Sequence, residues 1–145
     1  MRPHDDCANT GWAVALLLAT SLLVAVRPPS GIEERRFQGL PDGVSPAIYG
    51  DGNYGVVWGP GPGTIYLIVR SGGNCPALAT EMEWPHPDHV ELNMERFDSL
   101  ACTGNLASQT SLIDLGDDYD GAGLTVEIVS SRYPDEHHTF HLETP

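Results

Sequence analysis

The chain contains no lysine. All seven basic residues among its 145 are arginines, set against 20 Asp and Glu, and the formal net charge is −13. So little positive charge leaves no counterions to release from a phosphate backbone, which excludes a nucleic-acid tracker. A polybasic patch for anionic lipid headgroups is excluded for the same reason. Cysteine is scarce, at three residues, and none stands at the spacing of a zinc site or a Cys-x-x-Cys redox pair. Also missing are the Gly-x-Ser-x-Gly elbow, the phosphate-cradling Gly-x-x-x-x-Gly-Lys and the His-Glu-x-x-His pair. Paired carboxylates for glycoside chemistry stay compatible with the sequence, because their spacing is set in three dimensions. No motif calls for a cofactor, and none is expected.

Helical periodicity is nearly absent as well. One apolar run, Gly11 to Val26, is the exception, and it is apolar on every face. As a helix its 16 residues would extend about 24 Å, somewhat short of a hydrocarbon core of about 30 Å. Arg27-Pro28-Pro29-Ser30-Gly31 follows at once as a helix stop. The run is expected to target the chain to a membrane. A small-x-small site, Ala19-Thr20-Ser21, would cut the run in two and leave Leu22–Val26 exposed. An uncleaved anchor is therefore preferred, with secretion after cleavage as the alternative. No cysteine stands just after the run to accept a lipid. Arg27, Arg35 and Arg36 on its C-terminal side would by themselves keep that side in the cytoplasm; the cysteines argue the other way.

Charge divides the chain as hydropathy does. Arg2, Arg27, Asp5 and Asp6 cancel within the first 30 residues, so the whole −13 belongs to residues 31–145, with 5 Arg and 18 carboxylates. The expected organisation is an N-terminal flank over 1–10, the anchor or signal segment over 11–26, a linker over 27–45 and an extracytoplasmic β domain over 46–145. A hydrophobic content of 41% supports a core and argues against disorder. Cys75 and Cys102 fall in this domain, and one bridge between them is expected in an oxidising compartment. Closing that 28-residue segment would contribute about 3.5 kcal/mol in the chain-entropy picture. Two buried free thiols in a cytoplasmic domain are the alternative.

Within the domain the signals are β. Tyr54–Trp58 follows a turn-like Asp51-Gly52-Asn53, and Gly59-Pro-Gly-Pro-Gly63 must be a loop. Thr64–Arg70 is apolar on both alternate faces, as in a strand covered on both sides. In Thr80–Trp84, Thr80, Met82 and Trp84 face one way, and Glu81 and Glu83 the other. After Pro85–His89, Val90, Leu92 and Met94 alternate with Glu91, Asn93 and Glu95. Pairing Glu83 with Glu91 keeps both apolar sets on one face, and a slip by one residue would bury glutamates. Further strands are expected at 109–115, 124–130 and 138–143. The fold class expected is mainly β: an antiparallel β-sandwich or open barrel of six to eight short strands, preceded by one apolar helix.

Three groups of residues invite chemistry. Glu81, Glu83, Glu91 and Glu95 would share the hairpin's outer face, a candidate surface for a cation or basic protein partner; a merely solvated face is the plainer reading. In Asp114–Gly121, placing Gly121 at the sixth position of a calcium loop puts Asp118, Asp120 and Glu127 at ligand positions. The first ligand position then falls on Gly116 and the flanks read as strands, so an acidic turn is the better account. His86 and His89 with Met82 and Met94 could suggest copper, but the alternation sends both methionines into the core. His137 and His141 would share a face about 13 Å apart on a strand, too far for one ion.

Ser71-Gly-Gly-Asn-Cys-Pro76, Ala101-Cys-Thr-Gly104, Thr110–Leu115 and Leu124–Ile128 together resemble small uncharacterised exported or membrane-anchored β domains of actinobacteria. Those domains show a Cys-Pro … Ala-Cys-Thr pattern. The likeness spans about residues 47–130 and its motifs are short. It implies an exported β domain with Cys75 joined to Cys102, and it implies no activity. The function expected is thus a membrane-anchored, non-enzymatic interaction or envelope-associated module. An exported cation-binding domain and an envelope hydrolase are the alternatives.

Overall fold

A computed structural model describes residues 32–50, 52–72, 75–96, 104–132 and 135–145. The apolar run expected as a helix lies outside these residues. Eight strands are described: β1 (Glu33–Gln38), β2 (Tyr54–Trp58), β3 (Thr64–Gly72), β4 (Ala77–His86), β5 (His89–Arg96), β6 (Leu106–Asp114), β7 (Leu124–Ser130) and β8 (His137–Leu142). Short 3-10 turns occupy Pro46–Tyr49 and Gly116–Asp118. The strands form two four-stranded sheets, ordered β1-β6-β3-β2 and β4-β5-β7-β8, which face one another without closing into a barrel.

The core lies between the sheets. Ile65, Leu67 and Ile113 enter it from the first, and Leu92, Val126 and Ile128 from the second, all essentially inaccessible to solvent. Each such side chain contributes about 1.5–3 kcal/mol by leaving water. As expected, β3 is covered on both faces. Ile68 points away from the core yet is fully buried, on the side overlaid by residues 39–50. Thr110 Oγ1 donates to Gly39 O at 2.6 Å and Tyr49 Oη to Ser108 Oγ at 2.7 Å, tying that segment down. Gly55, beside Ile68 in the ladder, leaves room for Ile48: a Cβ there would stand 2.8 Å from Ile48 Cγ1.

The β4–β5 hairpin has the expected register, with Glu83 opposite Glu91. A bulge at Thr80 shifts the pairing between Ala79 and Glu81, and Thr80 Oγ1 donates to Asn93 O at 3.2 Å. The bulge lets Ala79 as well as Met82 reach the core side.

Two expectations need correction. The sheets are not wholly antiparallel: β5 runs parallel to β7, with His89 opposite Thr125 and Met94 opposite Ser130. Between them the chain leaves for the other sheet as β6 and returns, which is the crossover that parallel neighbours require. The segment expected as a linker also carries β1, the edge strand that pairs with β6. Its polar composition misleads because an edge strand faces water on one side and at its free rim.

Both open sides of the sandwich are stitched. Ile32 N donates to Ala79 O and Ala79 N to Glu33 Oε1, each at 3.2 Å, joining β1 to β4. Opposite, Trp58 Nε1 donates to Glu143 O at 2.6 Å, and the Tyr54 and His138 rings meet at 4.9 Å between β2 and β8.

Candidate functional site

Where β3, β5 and β7 end and β2, β4 and β8 begin, the two sheets leave a partly open cavity of about 640 Å³. Val69, Ala77 and Met94, all members of the core, form its apolar floor. Arg70, Arg96 and Arg132 line it together with Asp135 and Glu136. Three of the five arginines of residues 31–145 therefore meet at one place in an acidic domain. Each follows directly from the ends of successive inner strands: Arg70 near the end of β3, Arg96 closing β5 and Arg132 two residues beyond β7.

Their environments differ. Arg70 lies over the Tyr49 ring, 5.3 Å from its centroid, a cation–π contact on the face of β3 that also carries Ile68. Neither Arg70 nor Arg96 forms an ion pair with a carboxylate among the described residues. Arg36, by contrast, pairs with Glu33. Tyr54, half-buried at the cavity wall, has its pKa raised by burial, with the Arg96 charge opposing and the Glu136 charge adding to the shift. Its phenol thus stays a neutral hydrogen-bond donor between a cation and an anion.

The outer face of the second sheet gathers the acidic residues expected there, and one more. Glu83, Glu91 and Glu127 are successive neighbours across β4, β5 and β7, with Glu81 and Glu95 at the same face of the hairpin. Like charges so placed repel, and histidines offset the repulsion at one point. His137 Nδ1 lies 2.6 Å from Glu127 Oε1, and His89 Nε2 lies 3.1 Å from Glu127 Oε2. An ionised carboxylate only accepts, so both ring nitrogens carry the hydrogen. The hydrogen bond from His137 is the main cause that lowers the Glu127 pKa, against a smaller desolvation effect, with the charges of both histidines and the His89 bond helping. His141 Nδ1 meets Thr125 Oγ1 at 3.2 Å on the same face.

The calcium-type candidates are not brought together as a ligand set. Asp118 sits in the 3-10 turn, and Asp120 Oδ1 accepts the Ala122 N–H at 2.9 Å. Asp114 Oδ1 likewise accepts from Gly116 N at 2.8 Å, so the turn's carboxylates brace the turn itself. Glu127 stands mid-strand on β7 with both oxygens engaged by histidine. Among the described residues, no group of three or more His, Cys, Asp or Glu side chains is placed to hold a metal ion. Met94 is buried and Met82 packs against the core, so neither accompanies His86 and His89 as a ligand pair; the two histidine rings lie 6.5 Å apart.

Cys75 is buried two residues before β4 and is disulfide-bonded. Both other cysteines, Cys7 and Cys102, lie outside the described residues.

Sequence reasoning missed the arginine cavity altogether. Its trace was an arginine at the end of a strand in Val69-Arg70, Glu95-Arg96 and Ser131-Arg132. Only the sheet topology shows that these three ends lie at one pole of the sandwich.

No family model matches the chain, and no similar curated protein or solved structure is found.

Proposed function

We propose that this chain is a membrane-anchored, extracytoplasmic β-sandwich that works by binding rather than catalysis, with the cavity between its sheets as the binding site. The gathering of Arg96, Arg132, Asp135, Glu136 and the neutral Tyr54 phenol along that cavity carries the reading. A volume of about 640 Å³ falls in the usual size range of a small-ligand site, and its lining is mainly polar and charged. The apolar run over 11–26 supports the anchor, and the bonded state of the buried Cys75 supports an oxidising compartment. In this reading Cys102 is the partner of Cys75, which agrees with the likeness to exported actinobacterial domains. The alternative of a calcium-type domain finds no support in the arrangement of Asp118, Asp120 and Glu127.

The test is a panel of neutral, cationic and anionic fragments added to the full-length chain in detergent, followed by amide NMR. At least one fragment is expected to shift Asn53, Val69, Ala77 and Met94 together and saturably. A panel that leaves these four amides unmoved contradicts the binding reading.

A further inference from the structure

We infer that a second groove, on the outer face of the first sheet, binds a neutral pyranose sugar, with the Phe37 and Tyr66 rings as its platform and Arg35 and Asp42 as partners for the sugar hydroxyls. It shares no residue with the cavity between the sheets and goes beyond the reading of that cavity.

The strand ladder places the groove. Arg35, Leu112, Tyr66 and Val57 stand side by side across β1, β6, β3 and β2. Ile65 and Leu67 point into the core, so Tyr66 and its row share the outer face with Ile68. One row along, residues 39–50 cover that face and Ile68 is fully buried. Over the row of Tyr66 the cover stops: Leu112, Tyr66 and Val57 are only partly buried, and Arg35 is exposed. What remains is an open groove of about 690 Å³, bounded by Phe37, by Leu40-Pro41-Asp42 of the covering segment and by Gly59-Pro60 past the end of β2. The glycine leaves this rim low, since a Cβ there would press on Thr64 Oγ1 and stand 3.1 Å from Leu112 Cδ1. Trp58 at the same rim turns its ring inward, where Nε1 donates to Glu143 O.

The lining selects the ligand. The Phe37 and Tyr66 rings meet edge to face, with centroids 6.0 Å apart and planes at 89°. They form one corner for a single ring, rather than the successive slots that an extended proline-rich peptide occupies. The C–H groups on one face of a pyranose pack against such rings and displace water. A pure hydrocarbon would strip water from Arg35 and Asp42 and give no hydrogen bond in return. Neither of these residues forms an ion pair among the described residues, so donors of the guanidinium and acceptors of the carboxylate face the groove together. A hydroxyl both donates and accepts, and neighbouring hydroxyls on a sugar ring match either group in a pair of bonds. The two charges cancel, so the groove favours neither ion, and the −13 of the chain disfavours an anion further.

Methyl β-glucoside, methyl β-galactoside and methyl α-mannoside are the probes, with cyclohexanol, glucuronate and triproline amide as comparisons. Each is titrated into the full-length chain in a detergent without a sugar headgroup, and the readout is the amide shifts of Phe37, Leu40, Gly59 and Tyr66. At least one methyl glycoside should saturate with a Kd on the order of 1 mM, about tenfold or more tighter than any of the three comparisons. Asp42→Ala, at an exposed position, should weaken that glycoside about tenfold, and Tyr66→Ala at least as much. Should Tyr66→Ala fail to fold, Asp42→Ala decides alone; a titration of it identical to that of the unmodified chain would overturn the proposal. Cyclohexanol binding as tightly as the best glycoside would make the groove merely apolar, and glucuronate doing so would remove its choice of a neutral ligand. Tighter binding of triproline amide would assign the groove to a peptide instead. If no glycoside moves these four amides, the sugar site fails, whatever happens at Asn53, Val69, Ala77 and Met94 in the other cavity.

Discussion

At the scale of single residues, charge explains the most. Glutamates alternating with apolar residues could be assigned to the outer hairpin face from the sequence, because a period of two leaves no other place for them. What neighbours them across other strands could not. Glu127 is 36 residues from Glu91 in the chain and becomes its neighbour only through the parallel β5–β7 pairing. His89 and His137 are likewise brought to Glu127 by three different strands. Those contacts have a consequence for stability. Because the Glu127 pKa is lowered, its contribution is present above the ordinary carboxyl range and fades as pH falls through the lowered value. Glu127→Gln should therefore cost about 0.5 kcal/mol near neutral pH, the scale of a partly exposed ion pair. The gap between the variant and the unmodified chain should close toward about pH 3. Urea unfolding at both pH values measures it; a gap that widens on acidification would mean the histidine contacts do not hold the carboxylate.

At the scale of elements, strands whose apolar and polar residues alternate were legible and strands defined by their neighbours were not. The β4–β5 hairpin carries its own register in Met82, Leu92 and Glu83, Glu91, and β3 announces cover on both faces by its unbroken apolar run. Polar β1 gave no such sign: Glu33-Glu34-Arg35-Arg36 has no apolar face, and its place depends on β6 on one side and the Ala79 bonds on the other. The cover over β3 also depends on one glycine. Gly55 has ordinary strand surroundings except for Ile48, whose branched side chain would stand 2.8 Å from an added Cβ. Ile48 has little rotamer freedom with which to yield, so the 46–49 turn must shift instead. Gly55→Ala should destabilise the fold by about 1–3 kcal/mol, the usual cost of overpacking. Pairing it with Ile48→Ala should recover part of the loss. A fully stable single variant in thermal or urea unfolding would show that this turn does not pack against β2 as described.

At the scale of the whole molecule, an acidic β-sandwich keeps three of its five arginines at one pole, beside a cavity floored by its own core. The net charge of −13 keeps polyanions away and leaves the arginine pole as the local exception. Cys75, close to Ala77 of the cavity floor in sequence, ties the architecture to the question of compartment. The most direct measurement is a peptide map of the full-length chain isolated from membranes without reductant and cut after arginine. Cleavage at Arg70, Arg96 and Arg132 separates residues 71–96, with Cys75, from residues 97–132, with Cys102. An extracytoplasmic, anchored binding domain predicts that these two fragments travel as one and part only on reduction. Alkylation of Cys75 without reductant, or its linkage to the fragment that holds Cys7, would contradict it.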